Sequence, residues 1–165
     1  MSDKFFDFRT DVLFLLIGSN PLPNYVAARL LTHEQGTLVL LHSQATAMVA
    51  ERLARRLRSE RAVLSTQLFT VPEADGPAIA RKVREAIQQF ERSYPRRTIG
   101  LNYTGGTKPM AAYSYQALST MLHLQETFSD VVKTDKTGLS KTAHTRWMIS
   151  AFANFLPGST IFRLA

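Results

Sequence analysis

Short apolar runs alternate with longer segments of helical period from residue 11 to about residue 123. Alternation of this kind is typical of consecutive βα units on a parallel sheet. The runs predict four strands, namely Val12–Ile17, Leu38–Leu41, Val63–Val71 and Thr98–Tyr103. The first two lack polar alternation, as central strands covered on both faces do. The third contains the polar run Ser65–Gln67, which favours a position near the edge of the sheet.

The segments between the strands carry apolar residues on one stripe at helical spacing, so these helices are expected to pack on the sheet. The stripes of the second and third helices are Ala45, Val49, Leu53 and Leu57, and Ile79, Val83, Ala86, Ile87 and Phe90. A fourth helix is predicted to begin near Thr107 or Lys108, with Pro109 in its first turn. It presents Met110, Tyr113 or Ser114, Ala117, Leu118 and Met121. Residues 1–125 therefore predict a Rossmann-like α/β domain with helices on both faces of a parallel sheet.

The last 40 or so residues break this rhythm. The segment His123–Thr145 is polar, Arg146–Leu156 fits either a strand or a short helix, and Thr160–Leu164 fits a terminal strand. No fifth strand is predicted directly after the fourth helix. Residues 126–165 are interpreted as a C-terminal segment of uncertain structure that packs on the same domain.

Composition narrows the functional classes. A chain of 165 residues is long enough for one sizeable core, and its formal net charge of +7 favours an anionic partner. Because cysteine is absent, disulfides and cysteine nucleophiles are excluded. The longest apolar run, Val12–Ile17, has six residues, far fewer than the roughly 18 to 20 of a membrane span. No membrane association, no signal peptide and a cytoplasmic location are expected.

The topology predicts where a ligand binds. In a doubly wound sheet the strand order reverses beside the first strand, and the loops that leave the two strands at this point open a crevice. Here these loops are Gly18-Ser19-Asn20-Pro21 after the first strand and Thr104-Gly105-Gly106-Thr107-Lys108 after the fourth. Both loops are small and rich in hydrogen-bond donors, so they are the predicted ligand site.

The loop after the fourth strand is the most informative segment. Two adjacent glycines allow close approach of the main chain, Thr104 and Thr107 supply hydroxyls, and Lys108 supplies a positive charge at a helix N-terminus. This combination suits a phosphodiester, although a plain tight turn before a helix is the alternative. Neither loop has the glycine spacing of a dinucleotide-binding or P-loop motif, which disfavours ATP hydrolysis.

The stretch Leu101–Met110, with Ile17-Gly18-Ser19-Asn20-Pro21 after the first strand and Pro23-Asn24 at the start of helix 1, resembles the CRISPR-associated Rossmann-fold (CARF) sensor domains. It is most similar to the branch that is joined to restriction-like nuclease domains in type III CRISPR defence. The resemblance covers roughly residues 10 to 123. It implies a homodimer that binds cyclic oligoadenylate, usually cyclic tetra-adenylate, in antiviral signalling. Some members also cleave the bound ring without metal.

The resemblance also implies roles for individual residues. Gly18, Ser19 and Asn20 would touch ribose and phosphate, while Thr104, Gly105, Gly106, Thr107 and Lys108 would cradle the phosphates. If the chain is a ring nuclease, Lys108 and Ser19 are the candidate catalytic residues. The family usually continues into an effector domain, for which no pattern is found, so sensor and standalone ring nuclease both stay open. No cofactor is implied.

Other candidate residues favour less specific roles. The segment Glu51–Arg61 holds five arginines against two glutamates, a net charge of +3, and fits either a solvated helix face or a patch for an acidic partner. Its spacing does not support DNA base readout, so the rival function is a basic scaffold that binds nucleic acid non-specifically. His42 is placed to reach an adenine or to cap a turn, and Glu73 and Asp75 are expected to cap helix 3. The scattered histidines predict no metal site.

Overall fold

The computed structural model describes residues 9–60, 65–93, 98–133 and 159–162. These residues form a five-stranded sheet in the order β3-β2-β1-β4-β5, in which β1 to β4 are parallel and β5 is antiparallel to β4. The elements are β1 (Thr10–Leu16), α1 (Leu22–Leu31), β2 (Thr32–His42), α2 (Ala47–Ser59), β3 (Ser65–Thr70), α3 (Gly76–Ser93), β4 (Ile99–Asn102), α4 (Lys108–Lys133) and β5 (Ser159–Phe162). The predicted Rossmann-like α/β fold is confirmed.

Successive side chains of β1 point to opposite faces of the sheet and join two separate apolar layers. Val12, Phe14 and Leu16 pack with α3 and α4, and the ring of Phe14 meets that of Phe90 edge to face at a centroid distance of 6.2 Å. Leu13 and Leu15 pack instead with α1 and α2. Both faces of the central strand are therefore covered by helices, which explains its uninterrupted apolar sequence.

The positions of the strands follow the polarity of their sequences. β1 and β2 lie inside the sheet, whereas β3, whose side chains are only half-buried, forms an edge, as predicted. β2 begins six residues earlier than the apolar run Leu38–Leu41, because an irregular polar stretch precedes that run and shifts the register against β1. Glycine at position 36 allows the close approach of the main chain in this stretch, since a β carbon there would lie 2.9 Å from the His33 carbonyl oxygen.

The helical stripes are confirmed with two corrections. All five predicted positions of α3 are buried. Ala45, however, lies exposed in the turn before α2, and within α2 the buried stripe is completed by Ala50 and Ala54 instead. Helix α4 continues to Lys133, about ten residues past the end of the periodic pattern, because this polar stretch contains no glycine or proline to end it.

β5 adds an antiparallel strand beside β4, with Phe162 opposite Ile99 and Ser159 opposite Asn102. It overlaps the predicted terminal strand Thr160–Leu164. The segment Arg146–Leu156 lies outside the described residues, and the division of the chain at residue 125, a position inside α4, stays a prediction. Among the residues that the structure describes, no helix is long and apolar enough to cross a membrane.

Candidate functional site

The strand order reverses beside β1, which pairs with β2 on one side and with β4 on the other. Leu15 lies opposite Asn102 at the last paired position of β1 and β4. Because the two strands are parallel, the loops that follow them leave the sheet at the same edge. The structure thus brings together the two segments that the sequence nominates, residues 18–21 and residues 104–108.

The two loops touch through their main chains. A β carbon on Gly18 would lie 3.2 Å from the Gly106 nitrogen and 3.4 Å from the Gly105 α carbon. A β carbon on Gly105 would collide with the carbonyl oxygen of Leu16 and would lie 2.8 Å from the Gly18 nitrogen. Glycine at position 105 is therefore required for the packing of the loop on the end of β1, whatever else it does.

Gly106 turns the chain towards α4. Its φ of +74° lies in the left-handed region, which side-chain-bearing residues rarely adopt. Gly106 is exposed, whereas Gly105 beside it is half-buried. The exposed main chain at this turn is open to a ligand.

Both threonine hydroxyls of the loop are engaged within the protein. The Thr104 hydroxyl donates to Asn102 Oδ1 at 2.6 Å, which folds the loop back on the end of β4. The Thr107 hydroxyl accepts from the Met110 N–H at 3.3 Å and so caps α4, and it also donates to the carbonyl oxygen of Glu73. These bonds shape the loop, and contact of either hydroxyl with a ligand stays a prediction.

The remaining donors lie at the N-terminus of α4. Proline at position 109 has no N–H, and the Met110 N–H is bonded to Thr107, so the N–H groups of Thr107 and Lys108 are left at this end. The Lys108 side chain is exposed, and within the described part of the chain no carboxylate pairs with it. A helix N-terminus next to an unpaired ammonium group favours an anion.

The loop after β1 is more open than the loop after β4. Ser19 and Asn20 are both exposed. Asn20 Oδ1 accepts from the Leu22 N–H at 3.1 Å, so this side chain closes the turn that leads into α1. Ser19 has an exposed hydroxyl at the same edge as Lys108.

The structure adds two residues to the site for which the sequence predicts other roles, Asn24 at the start of helix 1 and Glu73 as a cap of helix 3. Asn24 is fully buried, and its Nδ2 donates to the Leu16 carbonyl at 2.9 Å, directly under Gly105. Glu73 is exposed in the loop before α3, and its carbonyl is held by Thr107. For Asn24, the sequence carries only a weak signal, an asparagine in the first turn of a helix. The role of Glu73 depends on its contact with Thr107, 34 positions away, for which the sequence carries no signal.

Asp75 and His42 take local roles. Asp75 Oδ1 accepts from the Ala78 N–H at 3.1 Å and caps α3, as predicted. His42 is buried at the end of β2, with its Nδ1 3.0 Å from the Ser43 carbonyl oxygen, which favours the turn role over contact with a ligand.

The arginine-rich helix α2 is partly engaged within the protein. Arg56 pairs with Glu60, and Arg58 donates to the Thr66 hydroxyl at 2.8 Å. Arg52 and Arg55 are exposed on the same helix. The described ranges contain no cluster of histidine and acidic side chains that fits a metal ion.

Together these features define an α/β domain with a candidate site for an anion at the point where the strand order reverses. Its fold is similar to that of Can2 from Sulfobacillus thermosulfidooxidans in complex with cyclic tetra-adenylate, with a TM-score of 0.56 and 21% identity over 73% of this chain and 32% of that one. It is also similar to protein VC1899 from Vibrio cholerae, with a TM-score of 0.54 and 15% identity over 67% of this chain and 28% of that one.

A third similar structure is Csm6 from Enterococcus italicus bound to cyclic hexa-2′-fluoro-hexa-dAMP, with a TM-score of 0.53 and 20% identity over 70% of this chain and 31% of that one. This chain therefore spans about a third of the length of each of these proteins. No known family profile matches the sequence. No curated protein matches it either.

Proposed function

We propose that this chain binds a cyclic oligoadenylate at the edge formed by residues 18–21 and 104–108, as part of type III CRISPR antiviral signalling. The observation that carries the proposal is the contact of Gly18 with Gly105 and Gly106 beside the N-terminus of α4. Two proteins of similar fold hold cyclic adenylate rings in their structures. The sequence motif at Leu101–Met110 independently resembles CARF sensor domains.

Cyclic tetra-adenylate is the proposed ring, and a homodimer is the proposed assembly. A two-fold dimer would present a pair of Lys108 side chains and a pair of glycine loops to a ring with four phosphates, so the symmetry and the charge of the partners match. The ring would lie across the axis with each protomer holding half of it. Sedimentation of the protein with and without the ring tests the assembly, since a monomer in both states contradicts it.

The decisive experiment is calorimetry with cyclic tetra-adenylate, cyclic hexa-adenylate and linear tetra-adenylate, each titrated into the same protein. We expect the cyclic tetramer to bind at least about tenfold more tightly than the linear form, because the closed ring loses less conformational freedom on binding. Equal affinity for all three would contradict a ring-specific site.

The rival function is non-specific binding of nucleic acid through the exposed Arg52 and Arg55 of α2. That function predicts similar affinity for any single strand and a steep decrease with salt, because counterion release supplies the binding free energy. Titration of an oligonucleotide of mixed sequence at two salt concentrations therefore separates the two proposals in the same instrument.

A further inference from the structure

Asn24 is a fully buried side chain whose amide nitrogen donates a hydrogen bond while its amide oxygen accepts none in the part of the chain that the structure describes. Its Nδ2 donates to the Leu16 carbonyl, which lies just beyond the last residue of β1 that pairs with β4. Its Oδ1 is equally buried and has no hydrogen-bond partner among the residues that the structure describes. A buried acceptor without a donor is unfavourable and calls for an explanation.

The unpaired oxygen faces the main chain of the glycine loop. A β carbon on Gly105 would lie 3.1 Å from Asn24 Oδ1, and it would also lie 2.8 Å from the Gly18 nitrogen. Because glycine carries only hydrogen there, the carbonyl group of Asn24 borders the backbone of residues 104–107 directly. That backbone carries N–H groups. The Thr104 N–H already donates to Asn102 Oδ1 at 3.3 Å, so the N–H groups of residues 105–107 are the partners that the oxygen would meet if the loop moved towards it.

We propose that Asn24 is the positioning residue of this site. Its amide anchors the end of β1 under the loop, and its free Oδ1 accepts a backbone N–H of residues 105–107 when the loop closes on a bound phosphate. The closed loop gains a hydrogen bond that the open loop lacks, so closure contributes to affinity. The identity of the ligand rests on the proposed function, whereas the anchoring role can be measured without a ligand.

Asn24→Leu tests the proposal because leucine has a similar shape and can neither donate nor accept. Thr10→Val is the matched control, since the buried Thr10 hydroxyl donates to the Leu31 carbonyl at 3.2 Å at the opposite end of β1. Both substitutions remove one buried bond from a side chain to the main chain. Asn24→Ala is the second variant, in case the leucine variant does not fold, since it removes both the donor and the acceptor without added bulk, and the same results are expected of it.

The first measurement is amide hydrogen exchange of residues 104–107 without ligand. We expect exchange in Asn24→Leu to be about tenfold faster than in the wild type and exchange in Thr10→Val to be unchanged, because only Asn24→Leu releases the Leu16 carbonyl on which the loop packs. Equal acceleration in both variants, or none in Asn24→Leu, would overturn the anchoring role.

The second measurement repeats the exchange and the calorimetry with cyclic tetra-adenylate. The ring should protect at least one N–H of residues 105–107 in the wild type but not in Asn24→Leu, whose affinity should fall about tenfold while Thr10→Val stays within about twofold. Wild-type affinity in Asn24→Leu would overturn the proposal. If the wild type does not bind the ring, the proposed function is wrong, and the exchange rates without ligand alone decide the role of Asn24.

Discussion

Gly105 lies so close to Leu16 that the carbonyl oxygen of Leu16 occupies the space of a β carbon on Gly105. The contact joins the loop after β4 to the end of β1, two segments that are almost 90 residues apart in the sequence. Direct contact between main chains thus holds the loop after β4 against the end of β1 at the edge where the strand order reverses.

Gly105→Ala should destabilise the protein by about 1 to 3 kcal/mol, because the added methyl group must displace the main chain of β1 or of the loop. Urea denaturation followed by circular dichroism measures the change. Gly18→Ala is the graded control, since its β carbon would meet the Gly106 nitrogen at 3.2 Å and needs a smaller displacement. A Gly105→Ala variant as stable as the wild type would show that the loop can lift without cost.

Lys108→Ala should weaken the binding of cyclic tetra-adenylate by at least about tenfold, because a charge-assisted contact contributes roughly 1.5 to 3 kcal/mol. Calorimetry measures the affinity. Arg55→Ala is the matched control, since it removes the same charge from an exposed position on α2. If both variants lose affinity equally, net charge and not the site at α4 governs binding.

Glu73→Gln should tighten the binding of the same ring by about two- to fivefold. The Thr107 hydroxyl holds the main-chain carbonyl of Glu73 beside the start of α4, and the Glu73 side chain is exposed. Its charge is therefore expected to repel an anion at the start of α4 by about 0.5 to 1 kcal/mol through water. Glu34→Gln makes the same charge change at an exposed position near the start of β2 and should leave affinity unchanged. The difference between the two variants should shrink as salt is added.

If the chain is a ring nuclease, cyclic tetra-adenylate should be cleaved in the presence of a chelator. A ribose 2′-OH of the ring would attack the adjacent phosphorus and lose its proton, the bond to the 5′ oxygen would break, and that oxygen would take up a proton. The product carries a 2′,3′-cyclic phosphate and a 5′-OH, which mass spectrometry identifies.

Lys108→Ala and Ser19→Ala should each slow this cleavage, because each removes a group that stabilises the charge developing on the phosphoryl oxygens. The expected decrease for Lys108→Ala is about 100-fold. Measurement at saturating protein separates slower cleavage from weaker binding. An unchanged ring after long incubation with the wild type would leave a binding module and rule out the nuclease.

The sequence predicts the fold and the shared edge of the two loops because both follow from local patterns. It predicts that the loops open a crevice there, whereas in the structure their main chains touch. The uninterrupted apolar run of β1 requires helices on both faces, and strand order then places residues 18–21 beside residues 104–108. The roles of Asn24 and Glu73 depend on contacts between distant segments. A single contact between distant segments leaves no repeating pattern in the sequence, so the partner of such a side chain cannot be predicted from the residues around it.

The limits of the elements were predicted less well for a related reason. The first half of β2 is polar and irregular, so its sequence pattern does not distinguish it from a loop. The close approach of Gly36 to His33 becomes apparent only in the structure. The sequence predicts that the glycines of the loop after β4 allow close approach of a ligand. The structure gives Gly105 a packing role that the dipeptide alone could not reveal, and the contribution of both glycines to binding stays a prediction.

β4 has only four residues, yet it has neighbours on both sides, with β1 along one edge and β5 along the other. Each of its residues from Ile99 to Asn102 is matched in both ladders. The strand is therefore a fixed base for the loop that it carries, and it cannot slide along the sheet without breaking two sets of hydrogen bonds. Any adjustment to a ligand must therefore be made after Asn102, in the turn at Gly105 and Gly106, and it must overcome the contact of Gly105 with Leu16.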